Sequence, residues 1–261
     1  MPSGEGFAPF LSCAALKVRY ERNFMTSRGF GCLSGAYPTF AAAEQAAPKS
    51  MDVGYDVQAA GSMYRERMNK VLLKDYPALF WLSRLMPATQ RLFDIGGHVG
   101  VMHYAYRRYL TFRDDLAWTV CDVPAVVKEG EALARERGER RLFFTTHLDD
   151  SAGSDVILAT GSLQYIARPF GDLLASLPVK PPHVLINETP THADGEIITL
   201  QNIGVSICPY RTAHHGSILS SMAALGYELV DAWEDPVRRT EIPYVTEPME
   251  IAYSGFYFRL P

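Results

Sequence analysis

The sequence predicts an α/β protein built on a doubly wound, mixed sheet, and three features predict it. Apolar runs of strand length alternate with stretches of helical spacing. The runs SDVILATGSL and PHVLINET are almost continuously apolar in their middle parts, as strands buried on both faces are. The chain then closes on two strand-like runs in succession, so the last strand is expected to be antiparallel.

The predicted elements follow in chain order. The seven strands are expected in RLFDI, AWTVCDV, RLFFTTHL, SDVILATGSL, PHVLINET, YELVDAW and SGFYFRL. Helices are expected in GVMHYAYRRYLTF, PAVVKEGEALARERG, RPFGDLLASLP and HGSILSSMAALG. The second of these helices has the strongest boundaries, because Pro124 opens it and Gly138 ends it.

Two parts of the chain lie outside this alternation. Residues 1–86 are predicted as a helical and irregular N-terminal segment, a lid or a dimerisation surface, in front of the α/β domain over 87–261. Helical spacing is clearest over 51–86. Residues 194–214 are predicted as a long irregular loop, and such loops are usually functional or disordered.

Composition excludes several classes of function. The chain has 25 basic and 29 acidic residues, a net charge of −4, so it has no general attraction for nucleic acid or an anionic membrane. No apolar run is long enough to span a membrane. The four cysteines are scattered and form no CxxC pair, so neither zinc nor disulfides are expected. We therefore expect a cytoplasmic protein without a metal.

A glycine-rich turn follows the first predicted strand, in the stretch RLFDIGGHVGVMHYAY. Gly96, Gly97 and Gly100 allow a sharp turn and a close approach to a ligand, but their spacing differs from the GxGxxG of dinucleotide sites. Asp94 just before them would repel a pyrophosphate and attract an ammonium or sulfonium group. Asp122, at the end of the next strand, can accept hydrogen bonds from both hydroxyl groups of a ribose. These residues favour S-adenosylmethionine over NAD.

The same stretch carries a family resemblance. FDIGGHVG resembles the first motif of class I S-adenosylmethionine-dependent methyltransferases, and CDVPAVV resembles a segment of plant-type small-molecule O-methyltransferases. ILATGSLQYI, NETP, ITLQNI and LGYELVDAW are similar to a branch of methyltransferases of unsettled substrate. The resemblance covers residues 55–261 loosely and 91–166 best. It implies a Rossmann-like fold, S-adenosyl-L-methionine as cofactor and a small-molecule acceptor.

The resemblance also implies where the cofactor would lie. The glycine turn would hold the methionine part of the cofactor, and the end of the second strand would hold its ribose. The residues after the third strand would contact the adenine edge, and the end of the fourth strand would flank the sulfonium. The implied cofactor residues are Asp94, Gly96, Gly97, His98, Gly100, Asp122, Val123, His147, Leu148, Asp149, Thr160, Gly161 and Ser162.

Two positions depart from the family pattern. His98 stands at the family's middle glycine, so the pocket must admit an imidazole. The family's catalytic histidine falls on Gln164, which cannot take a proton at neutral pH. A base for a hydroxyl acceptor is therefore sought elsewhere. The catalytic candidates are Glu188, His214 and His215, with His192 near them.

Substrate contacts are predicted at Tyr64, Gln164, Tyr165, Gln201 and Tyr210. Methyl transfer to an oxygen of a small molecule is the leading hypothesis for the function. An N-methyltransferase or sugar methyltransferase of the same fold, a nicotinamide-dependent oxidoreductase and a non-catalytic adenosylmethionine-binding protein stay open. A homodimer is also open, since the N-terminal segment could pair two chains.

Overall fold

The computed structural model describes residues 12–63, 65–245 and 249–261. Its strands are β1 (Leu33–Tyr37), β2 (Arg91–Ile95), β3 (Ala117–Cys121), β4 (Leu142–Thr145), β5 (Val156–Thr160), β6 (His183–His192), β7 (Ile197–Asn202), β8 (Ile207–His214), β9 (Glu228–Glu234), β10 (Thr240–Ile242) and β11 (Met249–Arg259). Its α-helices are α1 (Cys13–Phe24), α2 (Phe40–Ala46), α3 (Tyr76–Leu85), α4 (Val101–Tyr106), α5 (Pro124–Glu136), α6 (Phe170–Ser176) and α7 (His215–Ala224). Among these described helices, none has the length and apolar character that a membrane crossing requires.

Seven of the strands form the central sheet that the sequence predicts. Their order across the sheet is β4-β3-β2-β5-β6-β11-β9. β2 pairs in parallel with β3 and β5, as do β3 with β4 and β5 with β6. β11 runs antiparallel to β6 and β9, and its first residues also pair antiparallel with β10. The predicted doubly wound mixed sheet with an antiparallel last strand is therefore confirmed.

The chain reverses its path across this sheet between β2 and β5. From β2 it moves outward through β3 to β4, and it then returns to the other side of β2. In open α/β sheets, ligands bind beyond the carboxyl ends of the strands at such a switch point. The glycine turn follows β2 directly, so it lies at this point.

Different helices cover the two faces of the central sheet. Alternate residues of β2 point to opposite faces. Leu92 packs in one apolar cluster with residues of α3, α4 and α5, whereas Phe93 and Ile95 pack in another with residues of α6 and α7. The sheet is therefore the middle layer of three, and its carboxyl edge stays accessible between the two helical layers.

β1, β7 and β8 extend the sheet beyond the central seven strands. The end of β6 pairs in parallel with the end of β8, β8 pairs antiparallel with β7, and β7 pairs antiparallel with β1. The prediction of an irregular loop over 194–214 is wrong, because most of this stretch forms β7 and β8. Buried polar side chains such as Thr199, Gln201 and Thr212 interrupt the apolar alternation by which strands are recognised.

The N-terminal segment contains α1, α2, α3 and also β1. Where helical spacing over 51–86 predicts a helix, the chain instead forms three short 3-10 turns, at Gln58–Ser62, Arg65–Asn69 and Leu73–Asp75, before α3. The first of these turns packs on α5 and the second on α4. The segment thus reaches the carboxyl edge of the sheet. A domain boundary near residue 86 stays a prediction.

Gly255 of β11 lies opposite Trp233 of β9 and provides a test of the fold. A Cβ at position 255 would lie 2.2 Å from Cε2 of Trp233, whose Nε1 donates to Asn187 Oδ1 at 2.9 Å. Gly255→Ala is expected to lower the free energy of unfolding by about 1–3 kcal/mol, the usual cost of overpacking. Urea denaturation measures it. Gly195→Ala is the control, since a Cβ there meets nothing within 4 Å; equal effects of the two substitutions would contradict the prediction.

Candidate active site

The glycine turn after β2 is packed too tightly to admit side chains at two positions. Gly96 has a φ of 65°, and a Cβ there would lie 2.3 Å from Ser162 Cβ. A Cβ on Gly97 would lie 2.4 Å from Asp94 Oδ2. Glycine is therefore sterically required at both positions. The turn consequently lies directly against Asp94 and Ser162.

Asp94 is buried beneath this turn, and only part of its carboxylate is satisfied. Trp118 Nε1 donates to Oδ2 at 3.1 Å, whereas Oδ1 has no hydrogen-bond partner among the described residues. Burial raises the pKa of Asp94 to about 7, against the lowering effect of the Trp118 hydrogen bond, and the nearby Asp122 carboxylate adds to the rise. A buried acceptor atom in a cavity wall is suited to a cationic ligand that also donates hydrogen bonds.

Asp122 follows β3 and holds the turn from the other side. Its Oδ1 accepts from Val123 N at 2.8 Å, and its Oδ2 accepts from His98 N at 3.0 Å. Burial raises the pKa of Asp122 to about 6, although both hydrogen bonds lower it. A carboxylate has about four acceptor positions, so about two stay available to hydroxyl groups of a ligand.

His98 links the turn to the N-terminal segment. Its φ of 55° lies in the left-handed region, where histidine is uncommon. Its ring is buried, and Nε2 lies 2.8 Å from Ala60 O. Burial lowers the pKa of His98, so the ring is neutral at pH 7. Because a carbonyl oxygen can only accept a hydrogen bond, Nε2 carries the ring proton and its N–H donates a hydrogen bond to Ala60 O.

These residues line a cavity of about 680 Å³, within the range of about 300–1,000 Å³ typical of ligand pockets. Most of the predicted cofactor residues border it. They are Asp94, Gly96, Gly97, His98, Asp122, Val123, Leu148, Thr160, Gly161 and Ser162. Gly100, His147 and Asp149 stand outside the lining: Gly100 caps α4, and the other two flank Leu148.

The predicted substrate residues divide into two groups. Gln164 and Tyr165 line the cavity. Gln201 and Tyr210 stand behind Tyr165, whose hydroxyl donates to Gln201 Oε1 at 2.5 Å and whose ring centroid lies 5.5 Å from that of Tyr210. They can therefore position Tyr165 without bordering the cavity. Tyr64 lies outside the described residues.

The predicted catalytic residues also separate. Glu188 lines the cavity, with a φ of 55°. His214 lines a second cavity of about 200 Å³ beside α6 and α7, and its Nδ1 lies 2.9 Å from Ser217 Oγ. The ring of His215 packs against Phe256, with centroids 5.3 Å apart. Within the described ranges, no group of three or more His, Cys, Asp and Glu side chains could hold a metal ion.

Three cations that the sequence does not single out also line the cavity. Lys74 Nζ and Arg238 Nη1 both contact the Glu188 carboxylate, the latter at 3.3 Å. Burial is the main reason why the pKa of Lys74 is lowered. Arg67 lies 3.4 Å from the buried Asp75. Lys74 and Arg238 are 114 and 50 residues away from Glu188 in sequence, so no local motif could have revealed the group.

Several solved structures of methyltransferases and related proteins are similar to this chain. The N-terminal domain of EvdMO1 with SAH bound is 14% identical, with a TM-score of 0.48 over 73% of this chain and 83% of that one. The CcbJ methyltransferase from Streptomyces caelestis is 11% identical, with a TM-score of 0.48 over 79% and 97%. The 1,6-didemethyltoxoflavin-N1-methyltransferase of Burkholderia thailandensis is 17% identical, with a TM-score of 0.43 over 72% and 79%.

No family model and no curated protein matches the sequence.

The raised pKa of Asp94 makes the stability of the ligand-free protein depend on pH. Folded Asp94 keeps its proton up to about pH 7, whereas an unfolded aspartate loses it near about pH 4. Since the folded state binds more protons in this window, the free energy of unfolding is expected to fall as pH rises from about 4 to about 7, by at most about 1.4 kcal/mol per pH unit for this group. Asp94→Asn should flatten the slope in urea denaturation at a series of pH values.

Asp115→Asn is the control for this slope. Asp115 is exposed, and its hydrogen bond with Arg113 helps to hold its pKa at about 2, so it does not titrate above pH 4. Part of the slope should survive in the Asp94 variant, because the raised pKa of Asp122 acts in the same direction. A full slope in Asp94→Asn would show that Asp94 is not the titrating group.

His98→Gly tests whether the imidazole holds the N-terminal segment. Glycine suits the left-handed backbone but loses the hydrogen bond to Ala60 O. Amide hydrogen exchange over residues 58–62 is expected to rise about fivefold or more, the equivalent of one lost hydrogen bond. His147→Gly, at an exposed position, should leave this exchange unchanged. Unaltered exchange in His98→Gly would disprove the link.

Proposed function

We propose that the chain is an S-adenosylmethionine-dependent methyltransferase that methylates an oxygen atom of a small molecule. The observation that carries the proposal is the buried carboxylate of Asp94 directly beneath the glycine turn. A pyrophosphate, which such turns hold in dinucleotide enzymes, would be repelled there. The methionine part of S-adenosylmethionine carries an ammonium and a sulfonium, which the same carboxylate attracts.

The residues around the cavity fit each part of this cofactor. Asp94 Oδ1 is a buried acceptor without a partner among the described residues, and an ammonium N–H would satisfy it. Asp122 keeps acceptor positions for the ribose hydroxyls, and Val123 and Leu148 offer an apolar wall for the adenine. The residues that we assign to the sulfonium end are Thr160, the last residue of β5, and Gly161 and Ser162, which follow it.

Arg67 fits the remaining charged group of the cofactor, its carboxylate. The turn Arg65–Asn69 packs on α4, the helix that the glycine turn opens. Arg67 lines the cavity, and its Nε is buried without a hydrogen-bond partner in the part of the chain that the structure describes. A guanidinium with an unused donor is well suited to a carboxylate.

When bound, the cofactor supplies a methyl group that its sulfonium has already activated. The chain therefore has mainly to align the acceptor with that methyl group and to exclude water. His98 supports this by holding Gln58–Ser62 against the glycine turn. We propose accordingly that residues 1–86 act as a lid on a catalytic domain formed by residues 87–261.

Titration of the purified protein with S-adenosylmethionine, S-adenosylhomocysteine and NAD tests the proposal. Both adenosyl compounds are expected to bind in isothermal titration calorimetry, and NAD is not. Asp122→Asn should weaken their binding about tenfold or more, because the ribose hydroxyls lose a charged acceptor. Asp115→Asn, exposed and outside the cavity lining, should leave the affinity unchanged.

Two results would contradict the proposal. Tight binding of NAD without either adenosyl compound would indicate an oxidoreductase. Binding of S-adenosylmethionine without transfer of a labelled methyl group to any compound in a metabolite extract would indicate a non-catalytic binding protein. One observation favours the non-catalytic binding protein as a second candidate. Position 164 is a glutamine, where the family that the sequence resembles has a basic histidine.

A further inference from the structure

We infer that the acceptor is a small carboxylic acid, which Lys74 and Arg238 hold as its anion and which is methylated on the carboxylate to give a methyl ester. The inference rests on the proposed function and names the substrate class of the same cavity. A cluster of charges at the carboxyl end of the sheet, formed by Lys74, Glu188 and Arg238, carries it.

Glu188 is the centre of this cluster and is held in an unusual conformation. Its φ of 55° lies in the left-handed region, and strained residues of this kind concentrate at functional sites. Its side chain is 4% exposed and contacts both cations. A Cβ on Gly161 would lie 3.6 Å from Glu188 Oε2. The cluster therefore borders the end of β5, to which the sulfonium is assigned.

The backbone of Lys74 and the guanidinium of Arg238 are also held by groups other than Glu188, which contacts both side chains. Asn187 Nδ2 donates to the backbone oxygen of Lys74 at 3.2 Å. The Arg238 guanidinium lies 3.8 Å from the ring centroid of Tyr253, within the range of a cation–π contact. Each cation is therefore positioned before an acceptor enters, which lowers the entropic cost of binding one.

Lys74 and Arg238 also keep donors that Glu188 does not use. A lysine ammonium has three N–H donors and an arginine guanidinium five, and one nitrogen of each contacts Glu188. Two further acids lie near the cluster and have partners of their own. Asp235 accepts with Oδ1 from the backbone N–H of Val237 and Arg238, and Asp75 accepts from Leu72 N and contacts Arg67. Two cations thus line the cavity with one carboxylate between them, and a carboxylate of the acceptor would balance their charge.

The cavity is poorly supplied with a base for a neutral hydroxyl acceptor. His98 is the one histidine among the described lining residues. Its ring is hydrogen-bonded to the backbone oxygen of Ala60 in the N-terminal segment. Gln164 has no basic nitrogen. Glu188 would have to give up contacts with two cations to take a proton, and Glu44 is exposed on α2. Asp94 and Asp122 are assigned to the cofactor, and Lys74 contacts the Glu188 carboxylate, which favours its protonated form.

A carboxylic acid needs no base, because it is ionised at neutral pH, with an ordinary pKa near about 4. Its oxygen donates an electron pair to the methyl carbon and forms the C–O bond, while the C–S bond breaks and its electron pair stays on sulfur. The products are a methyl ester and the neutral thioether S-adenosylhomocysteine, and no proton moves. A phenol, with a pKa near about 10, would first have to lose a proton.

The full chain, methyl-labelled S-adenosylmethionine and a library of small carboxylic acids test the inference. Each acid is accompanied by the matched alcohol and amine. Label is expected to reach the acids, and mild alkali should release it as methanol, because alkali hydrolyses methyl esters but not ethers or methylamines.

A binding measurement tests the role of the two cations without turnover. With S-adenosylhomocysteine bound, benzoate is the probe and benzyl alcohol its neutral counterpart. Lys74→Met and Arg238→Met should each weaken benzoate binding about tenfold or more and leave the affinity for S-adenosylhomocysteine unchanged. Lys74→Arg keeps the charge and should keep most of the affinity. Lys70→Met and Arg239→Met are the controls, since neither residue lines the cavity.

Each contrary outcome has a distinct meaning. Label that resists alkali, label carried by the alcohols or amines alone, or no label on any acid overturns the inference. So does benzoate binding no tighter than that of benzyl alcohol. An equal loss of S-adenosylhomocysteine affinity in both methionine variants would assign the cations to the cofactor's own carboxylate and would also overturn it. Failure of the unaltered protein to bind either adenosyl compound would instead refute the proposed function.

Discussion

The carboxyl group of Asp94 is buried beneath a turn of backbone in this protein, and the structure of the site follows from the free-energy cost of burying it. Removing a charge from water is expensive unless partners replace the lost hydration. Trp118 supplies a partner for one oxygen of Asp94, and the other oxygen has none among the described residues. The turn above must be glycine, since a Cβ at position 97 would collide with this carboxylate. The folded chain thus leaves one oxygen of this buried carboxylate without a partner among the described residues, and a cationic ligand would supply one.

The end of the cavity that we assign to the cofactor could be located from the sequence because its determinants are local. The glycine turn and Asp122 belong to one unit of strand, turn, helix and strand, whose spacing is legible without a structure. The same locality revealed the alternation of strands and helices and the antiparallel last strand. Almost continuous apolar runs along the central strands are sufficient to place both faces of the sheet in the core.

The acceptor end could not be predicted, because residues distant in sequence form it. Lys74 and Arg238 look like ordinary surface charges in a sequence, and only the sheet topology brings them to Glu188. The histidines at 214 and 215 show the opposite case. They begin a helix after polar residues, which suggested a loop over the cleft. Because the preceding stretch is instead β8, one of them borders the second cavity and the other packs on β11.

The two ends of the cavity also differ in how much of the chain each requires. Asp94, Asp122 and Ser162 come from one continuous stretch, whereas the partners of Glu188 lie 114 residues before it and 50 residues after it. Contacts between residues that are distant in sequence have a larger entropic cost of loop closure and tend to form late in folding. In a nascent chain leaving the ribosome, the residues that we assign to the methyl donor are all synthesised before Arg238, so the charged group that we assign to the acceptor is the last part of the cavity lining to be completed.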